Sequence, residues 1–326
     1  RPPPGPGPGF FLDSRRRPNP SNNPDNTTMN EKIVVTGGSG FMGSHLADSL
    51  SEAGYRVVIF DRFPSPWLRP DQEMVVGDLL DADALERTIA DATYVYHLAG
   101  IADIGEAASR PRDTMALNVM GSLGVVEACL RAGVKKVLFA STIYVYSDKG
   151  SFYRVSKQAV ELLLETFQRE HGLAYTILRY GSLYGPRAQD WNGLRRFVRQ
   201  AVQEGRIVYP GTGEERREYI HVADAARLSV QALDPAFDNQ CLTITGAQVM
   251  ASRDMLLMIG EILGRDVEVQ FSTSDAGYKK NHYGSTPYRY TPKFGQKIIP
   301  NTYIDLGQGI LDIIEDVTAG RSGGTD

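Results

Sequence analysis

The chain has 326 residues, 42% hydrophobic and 23% charged, with a formal net charge of -4. That balance is ordinary for a folded protein, and the length suits one large α/β domain or two lobes. It excludes a general electrostatic attraction to nucleic acid or anionic membrane, and no apolar run in the sequence approaches the roughly 18 residues of a membrane span. Cys129 and Cys241 stand far apart with no ligand spacing, so no metal site is expected, and two buried, reduced thiols fit a cytoplasmic protein.

Residues 1–29 are rich in Pro, Gly, Asn and Arg and lack apolar periodicity and a secretory h-region. They are expected to form a disordered extension ahead of the fold, which starts after Met29. Lys32 to Thr36 is a short β-branched run followed by GGSGFMGSHLADSLSEAG. Strand, glycine turn and helix in that order predict a dinucleotide site at Gly37, Gly40, Phe41, Met42 and Gly43. The first glycine permits the tight turn, the second the approach of a pyrophosphate, and the third the packing of helix on strand. The helix N-terminus offers N–H groups and a positive dipole end to the phosphates.

The next strand, RVVIF, ends in Asp61, an acid about 20 residues past the glycines that can accept the ribose hydroxyls of NAD and repel a 2′-phosphate. Arg62 beside it works in the opposite sense. A third strand runs to Gly77, with Asp78 and Leu79 on the adenine side. A fourth ends at Leu98, ahead of Ala99 and Gly100, small residues that let backbone pass beneath a cofactor. Helices are expected at 113–132, with Asn118 inside, and at 152–171. Each carries apolar residues on more than one face, which suits either a homodimer through those two helices or a purely intramolecular core. AYTILR is a sixth strand, closing a doubly wound parallel sheet. Residues 181–220 and 247–318, with no sustained strand alternation near the end, are expected to form a smaller mixed lobe over the carboxyl ends of the strands, where open α/β sheets bind ligands. The cofactor domain is then 30–180 plus 221–246, with a flexible tail at 319–326.

The chemistry is expected between Lys136 and Lys157. Thr142 ends an apolar strand, and Tyr153 and Lys157 are four apart on one helix face. An ammonium beside a phenol favours phenolate and lowers a pKa that is ordinarily about 10, giving a base near neutral pH.

In combination these motifs resemble the extended short-chain dehydrogenase/reductases, and among them the nucleotide-sugar epimerases and dehydratases. The resemblance implies a Rossmann sheet, bound NAD, and Thr142, Tyr153 and Lys157 as the catalytic set. It also implies a nucleotide-diphosphate sugar held by Thr142, Ser182, Tyr209 (packing on the base) and Arg217 (on the diphosphate), with Tyr180 beside the nicotinamide. A 4-epimerase is the expected activity. A reductase or dehydrogenase of a nucleotide-linked keto sugar would use the same three residues, and an NAD-sensing regulator could share the fold. Three departures bear on the pocket. The loop between Thr142 and Tyr153 is short, which predicts a more open sugar site. Ser182 stands where relatives carry Asn. Positions 143 and 144 are Ile and Tyr, where dehydratases place Asp-Glu and decarboxylases a Glu, so neither reaction is expected.

Overall fold

The computed structural model describes residues 31–272, 282–287 and 296–320; the 1–29 extension and residues 321–326 of the tail lie outside them. Helices α1 (Phe41–Glu52), α2 (Ala82–Ile89), α3 (Ile104–Ser109), α4 (Pro111–Met115), α5 (Ser122–Ala132) and α6 (Ser151–His171) alternate with strands β1 (Lys32–Thr36), β2 (Arg56–Asp61), β3 (Gln72–Val76), β4 (Tyr94–His97), β5 (Lys136–Thr142) and β6 (Ala174–Tyr180). The second half adds β7 (Ser182–Tyr184), α7 (Gly193–Glu204), β8 (Arg206–Tyr209), β9 (Arg216–His221), α8 (Val222–Gln231), β10 (Gln240–Ile244), β11 (Val249–Ala251), α9 (Ser252–Leu263), β12 (Glu268–Phe271), β13 (Gln296–Ile298) and a final described helix, Leu306–Thr318.

Eight strands form one sheet in the order β13-β10-β6-β5-β4-β1-β2-β3. Every pairing in it is parallel. A parallel sheet covered on both faces needs strands that are apolar throughout, and β1 and β5 are buried along their whole length. Alternation divides their side chains. Ile33, Val35, Leu138 and Leu178 join α1 and α8 on one face, while Val34, Val137, Phe139 and Ile177 join α2, α5 and α6 on the other. The strand order reverses between β1 and β4, which opens a crevice at their carboxyl ends.

The sequence pattern stops at six strands plus β10. The edge strand β13 pairs with β10 through only Gln296, Lys297 and Ile298, too few residues for an alternation to register. Residues 247–318 therefore contribute to the large sheet as well as to the lobe. The lobe itself holds the sheet β11-β9-β7 and the pair β12-β8, around Leu194, Phe197, Ile207, Tyr209, Met255 and Ile310.

The expected helix at 113–132 is in fact α4, a π turn over Ala116–Gly121, and α5. Taken together, Pro111–Ala132 is long and apolar enough by length and composition to cross a membrane, which the sequence reading missed. It packs on the sheet through Val125, Val126, Ala128 and Cys129.

Candidate active site

The glycine turn has the shape a dinucleotide requires. Gly37 sits at φ +74, and a Cβ there would stand 2.6 Å from the Ala99 nitrogen. On Gly43 a Cβ would come within 2.1 Å of the Gly37 carbonyl oxygen. Neither position admits a side chain without moving backbone. Gly40 is more open, its nearest neighbour at 3.3 Å, and α1 begins there with no side-chain cap and no acid in its first turn. The N–H groups of Phe41 and Met42 belong to that uncapped end, a place for an anion. Asp61 accepts from the backbone N–H of Ser39 at 3.0 Å and of Phe63 at 3.3 Å, which fixes the acid at the mouth of the turn. Arg62 instead lies over the Phe63 ring, 5.7 Å from its centroid.

Across the crevice, Leu98 N–H bonds to Thr36 O at 3.0 Å, leading the chain into Ala99 and Gly100. Asn118 was expected to touch the cofactor, but its amide is spent on the fold. It accepts from Ile101 N–H at 2.7 Å and donates to Ile101 O at 2.9 Å and Ser156 Oγ at 3.0 Å. It clamps the 99–101 loop to α6. Asp78 is exposed and accepts from Leu80 N–H at 2.9 Å, while Leu79 is buried against Gly121. Tyr180 also differs from expectation. Strand alternation turns it into the core under α8, where its hydroxyl meets Ser229 Oγ at 2.6 Å, so that hydroxyl is already engaged within the fold.

Thr142 and Tyr153 come together at the end of β5, with the Thr142 hydroxyl acting to lower the phenol's pKa. Lys157 lies 5.7 Å from the Tyr153 ring centroid and donates to Ala140 O at 2.8 Å. The electrostatics are not those expected from Lys157 alone. Burial pushes the Tyr153 phenol up to about 12, against the opposing effect of Thr142. Burial also pulls Lys157 down to about 8, with the charge of Glu161 resisting. Desolvation outweighs the neighbouring cation because both groups lose water when α6 packs on β5. Phenolate therefore needs further positive charge in the crevice.

Sequence reasoning passed over the carboxylate behind this pair. Glu161, one turn beyond Lys157, is buried and accepts from Ser141 Oγ at 2.5 Å, Arg179 Nε at 3.0 Å and Arg179 Nη2 at 2.6 Å. Arg179 also donates to the Tyr146 hydroxyl at 2.9 Å. Two signals were available: the i,i+4 spacing from Lys157, and a lone Arg closing an otherwise apolar strand.

The substrate-side residues divide. Ser182 Oγ lies 3.4 Å from the Tyr283 hydroxyl, and the buried Arg217 guanidinium stands 4.7 Å over the Tyr283 ring. Tyr283 in turn packs against Tyr144, ring centroids 4.7 Å apart, which links this cluster to the turn after Thr142. Tyr209 does not join them. It is buried between Phe197 and Phe271 with its hydroxyl on Ser252, so the ring offers no open face to a base. The short Thr142–Tyr153 connection also does not leave the expected opening. Its turn, Ile143–Tyr146, is covered by Tyr283, and the Tyr144 hydroxyl meets His282 Nδ1 at 2.8 Å. Gly150 makes the tight return possible at φ +94, since a Cβ there would stand 2.8 Å from the Tyr144 ring.

The sequence model of the NAD dependent epimerase/dehydratase family matches residues 33–241. The chain belongs to that family. NAD is the cofactor its glycine turn and Asp61 fit. It is 30% identical to the UDP-glucose 4-epimerase of Azospirillum brasilense over 296 residues, 78% of this chain and 83% of that protein. It is also 30% identical to a UDP-N-acetyl-alpha-D-glucosaminuronate decarboxylase of Bacillus cytotoxicus over 244 residues, 66% of this chain and 75% of the relative. Among solved structures it resembles the UDP-glucose 4-epimerase of Thermotoga maritima with UDP-glucose. The TM-score is 0.78 at 28% identity, over 89% of this chain and 99% of that one.

Proposed function

We propose that this family member is a UDP-sugar 4-epimerase. The observation that carries the choice among family reactions is the absence of a carboxylate beside Thr142. Ile143, Val145 and Tyr146 are buried, Tyr144 is turned to His282 and Tyr283, and Asp148 is exposed next to Lys149. Elimination of water calls for an acid and base there, and the turn supplies neither. The decarboxylase relative keeps a second reading open to experiment.

When bound, NAD supplies the hydride acceptor and donor at the sugar carbon. Tyr153, as phenolate, takes the proton of the sugar hydroxyl and returns it to the same oxygen after the sugar has turned. Lys157, anchored on Ala140, keeps positive charge beside the phenol, and Thr142 holds the oxygen between them. Arg217 and Ser182 take the diphosphate end, a guanidinium being suited to phosphate oxygens. The exposed apolar residues Met120, Phe152, Val155 and Leu162 support pairing of two copies through the helical stretches 113–132 and 152–171; sedimentation of the purified chain as a monomer would remove that element.

The deciding experiment incubates NAD-loaded protein with UDP-glucose, UDP-glucuronate and UDP-N-acetylglucosamine and follows the sugars by NMR. A C4 epimer without net NADH is expected. Stoichiometric NADH identifies a dehydrogenase, and released CO2 a decarboxylase; either overturns the proposal. In parallel, Arg217→Ala should weaken UDP by about 1.5–3 kcal/mol, the worth of a charge-assisted contact. Unchanged UDP affinity in calorimetry would take Arg217 out of the diphosphate site.

A further inference from the structure

Tyr283 reaches the substrate side on a segment that is remote in sequence and fixed from two directions. Arg216 N–H donates to Gly284 O at 2.8 Å, and Thr286 N–H to Arg216 O at 3.1 Å, so residues 284–286 run parallel to β9 at Arg216. β7 pairs with the same strand from Tyr219 onward. On the other side, His282 Nδ1 meets the Tyr144 hydroxyl at 2.8 Å, and the Tyr283 and Tyr144 rings stand 4.7 Å apart. Between these anchors the Tyr283 side chain is buried with Ile143, Val145 and Tyr146, the turn that Thr142 caps by accepting from Tyr144 N–H at 3.2 Å. It also lies under the Arg217 guanidinium, whose Nη2 donates to the Tyr283 carbonyl at 3.4 Å.

Two ends of one ligand meet on this ring. The diphosphate belongs at Arg217 and Ser182 and the reacting sugar oxygen at Thr142 and Tyr153. The hexose is the covalent link between those ends, so it has to pass Tyr283, which touches Arg217 and Ser182 and packs on the turn after Thr142. The Tyr283 hydroxyl has capacity to spare there. Among the described residues its one hydrogen-bond contact is Ser182 Oγ at 3.4 Å, and that oxygen has no other side-chain bond. An O–H···O bond ordinarily closes to about 2.7–2.8 Å, so the two neighbouring hydroxyls are poorly satisfied by each other. Each can both donate and accept. A sugar hydroxyl, itself donor and acceptor, completes the bonding, and a ligand without one at this point leaves buried polar groups unpaired.

We propose that Tyr283 is a specificity-determining residue whose hydroxyl, beside Ser182, binds a non-reacting hydroxyl of the hexose. Its ring then supplies the wall that the short Thr142–Tyr153 connection does not. The inference rests on the UDP-sugar reading and adds to it the residue that reads the sugar.

The test is calorimetry on the NAD-loaded full chain, comparing wild type with Tyr283→Phe, which keeps the ring on Arg217 and Tyr144 and removes the hydroxyl alone. The ligands are UDP, UDP-glucose and UDP-glucose analogues deoxygenated at C2, C3 or C6. In the variant the UDP-glucose Kd is expected to rise about fivefold, the contribution of one neutral hydrogen bond, with UDP within twofold of wild type. One analogue, the one lacking the contacted hydroxyl, should bind wild type and variant alike, while the other two weaken as UDP-glucose does. A UDP-glucose Kd within twofold of wild type overturns the contact, and a lower one shows Tyr283 to be an obstruction instead. Equal losses for UDP and UDP-glucose, or equal losses for all four sugars, overturn the assignment to a sugar hydroxyl. If wild type binds none of these ligands, the UDP-sugar reading fails first and this assignment with it.

Discussion

Replacing Glu161 by Gln keeps the shape of the side chain and removes its charge. Arg179 is then left 1% exposed, with its cation in contact with neutral groups only: the new amide, the Tyr146 hydroxyl and the Tyr146 ring 4.8 Å away. Breaking a buried pair by removing one partner costs about 3–5 kcal/mol, because the surviving charge was desolvated on the strength of its partner. That is a large part of the 5–15 kcal/mol by which domains are typically stable. Urea unfolding near neutral pH should show the loss. Removing both charges, as in E161M/R179M, takes away the burial penalty together with the attraction, so the double variant should be more stable than either single one. The same substitution should be felt at Lys157, whose ammonium Glu161 helps retain. Without it the lysine loses its proton at lower pH, and the alkaline limb of the kcat profile should move down in pH. A cost below about 1 kcal/mol for E161Q, or a double variant worse than both singles, would refute the reasoning.

Tyr153→Phe should leave NAD binding intact and lower turnover by several orders of magnitude; activity within about tenfold of wild type, only ~1.4 kcal/mol, would remove the phenol from the chemistry. Asp61→Ala should weaken NAD and relax discrimination against NADP, read from the two dissociation constants; a wild type that already prefers NADP would show that Arg62 prevails. Acid should destabilise the protein through His97, which burial holds down at about 3 while its ring bonds Thr36 and Ser122 at 2.7 Å. The unfolded chain takes up that proton near pH 6.5 and the folded one does not. The stabilisation is thus complete above 6.5 and falls by roughly 2 kcal/mol by pH 5. His97→Gln should flatten that part of the urea profile, and an unchanged slope would rule His97 out as its source.

Much of this protein is set by short-range patterns. A β-branched run, a glycine turn and an uncapped helix specify the cofactor site within a dozen residues, because every requirement there is a backbone requirement. Thr142, Tyr153 and Lys157 were readable for a similar reason: a strand end and a four-residue helix spacing fix their mutual positions. The parallel sheet followed from strands that had to be apolar on both faces.

What tertiary structure alone decided are matters of burial and of distant partners. Tyr180 and Tyr209 match family positions by sequence, but which side of a strand meets the core put one under α8 and the other between Phe197 and Phe271. Asn118 carries the donors and acceptors of a cofactor contact, and only its distances to Ile101 and Ser156 show them already used. The Tyr153 pKa went against expectation because spacing reveals the neighbouring cation and says nothing of the water lost around both groups. Tyr283 lies more than a hundred residues from both Tyr144 and Ser182, and no local periodicity records either meeting. Local sequence determines which backbone shapes and spacings exist, while desolvation and long-range packing determine which of the side chains placed on them remain available to a ligand.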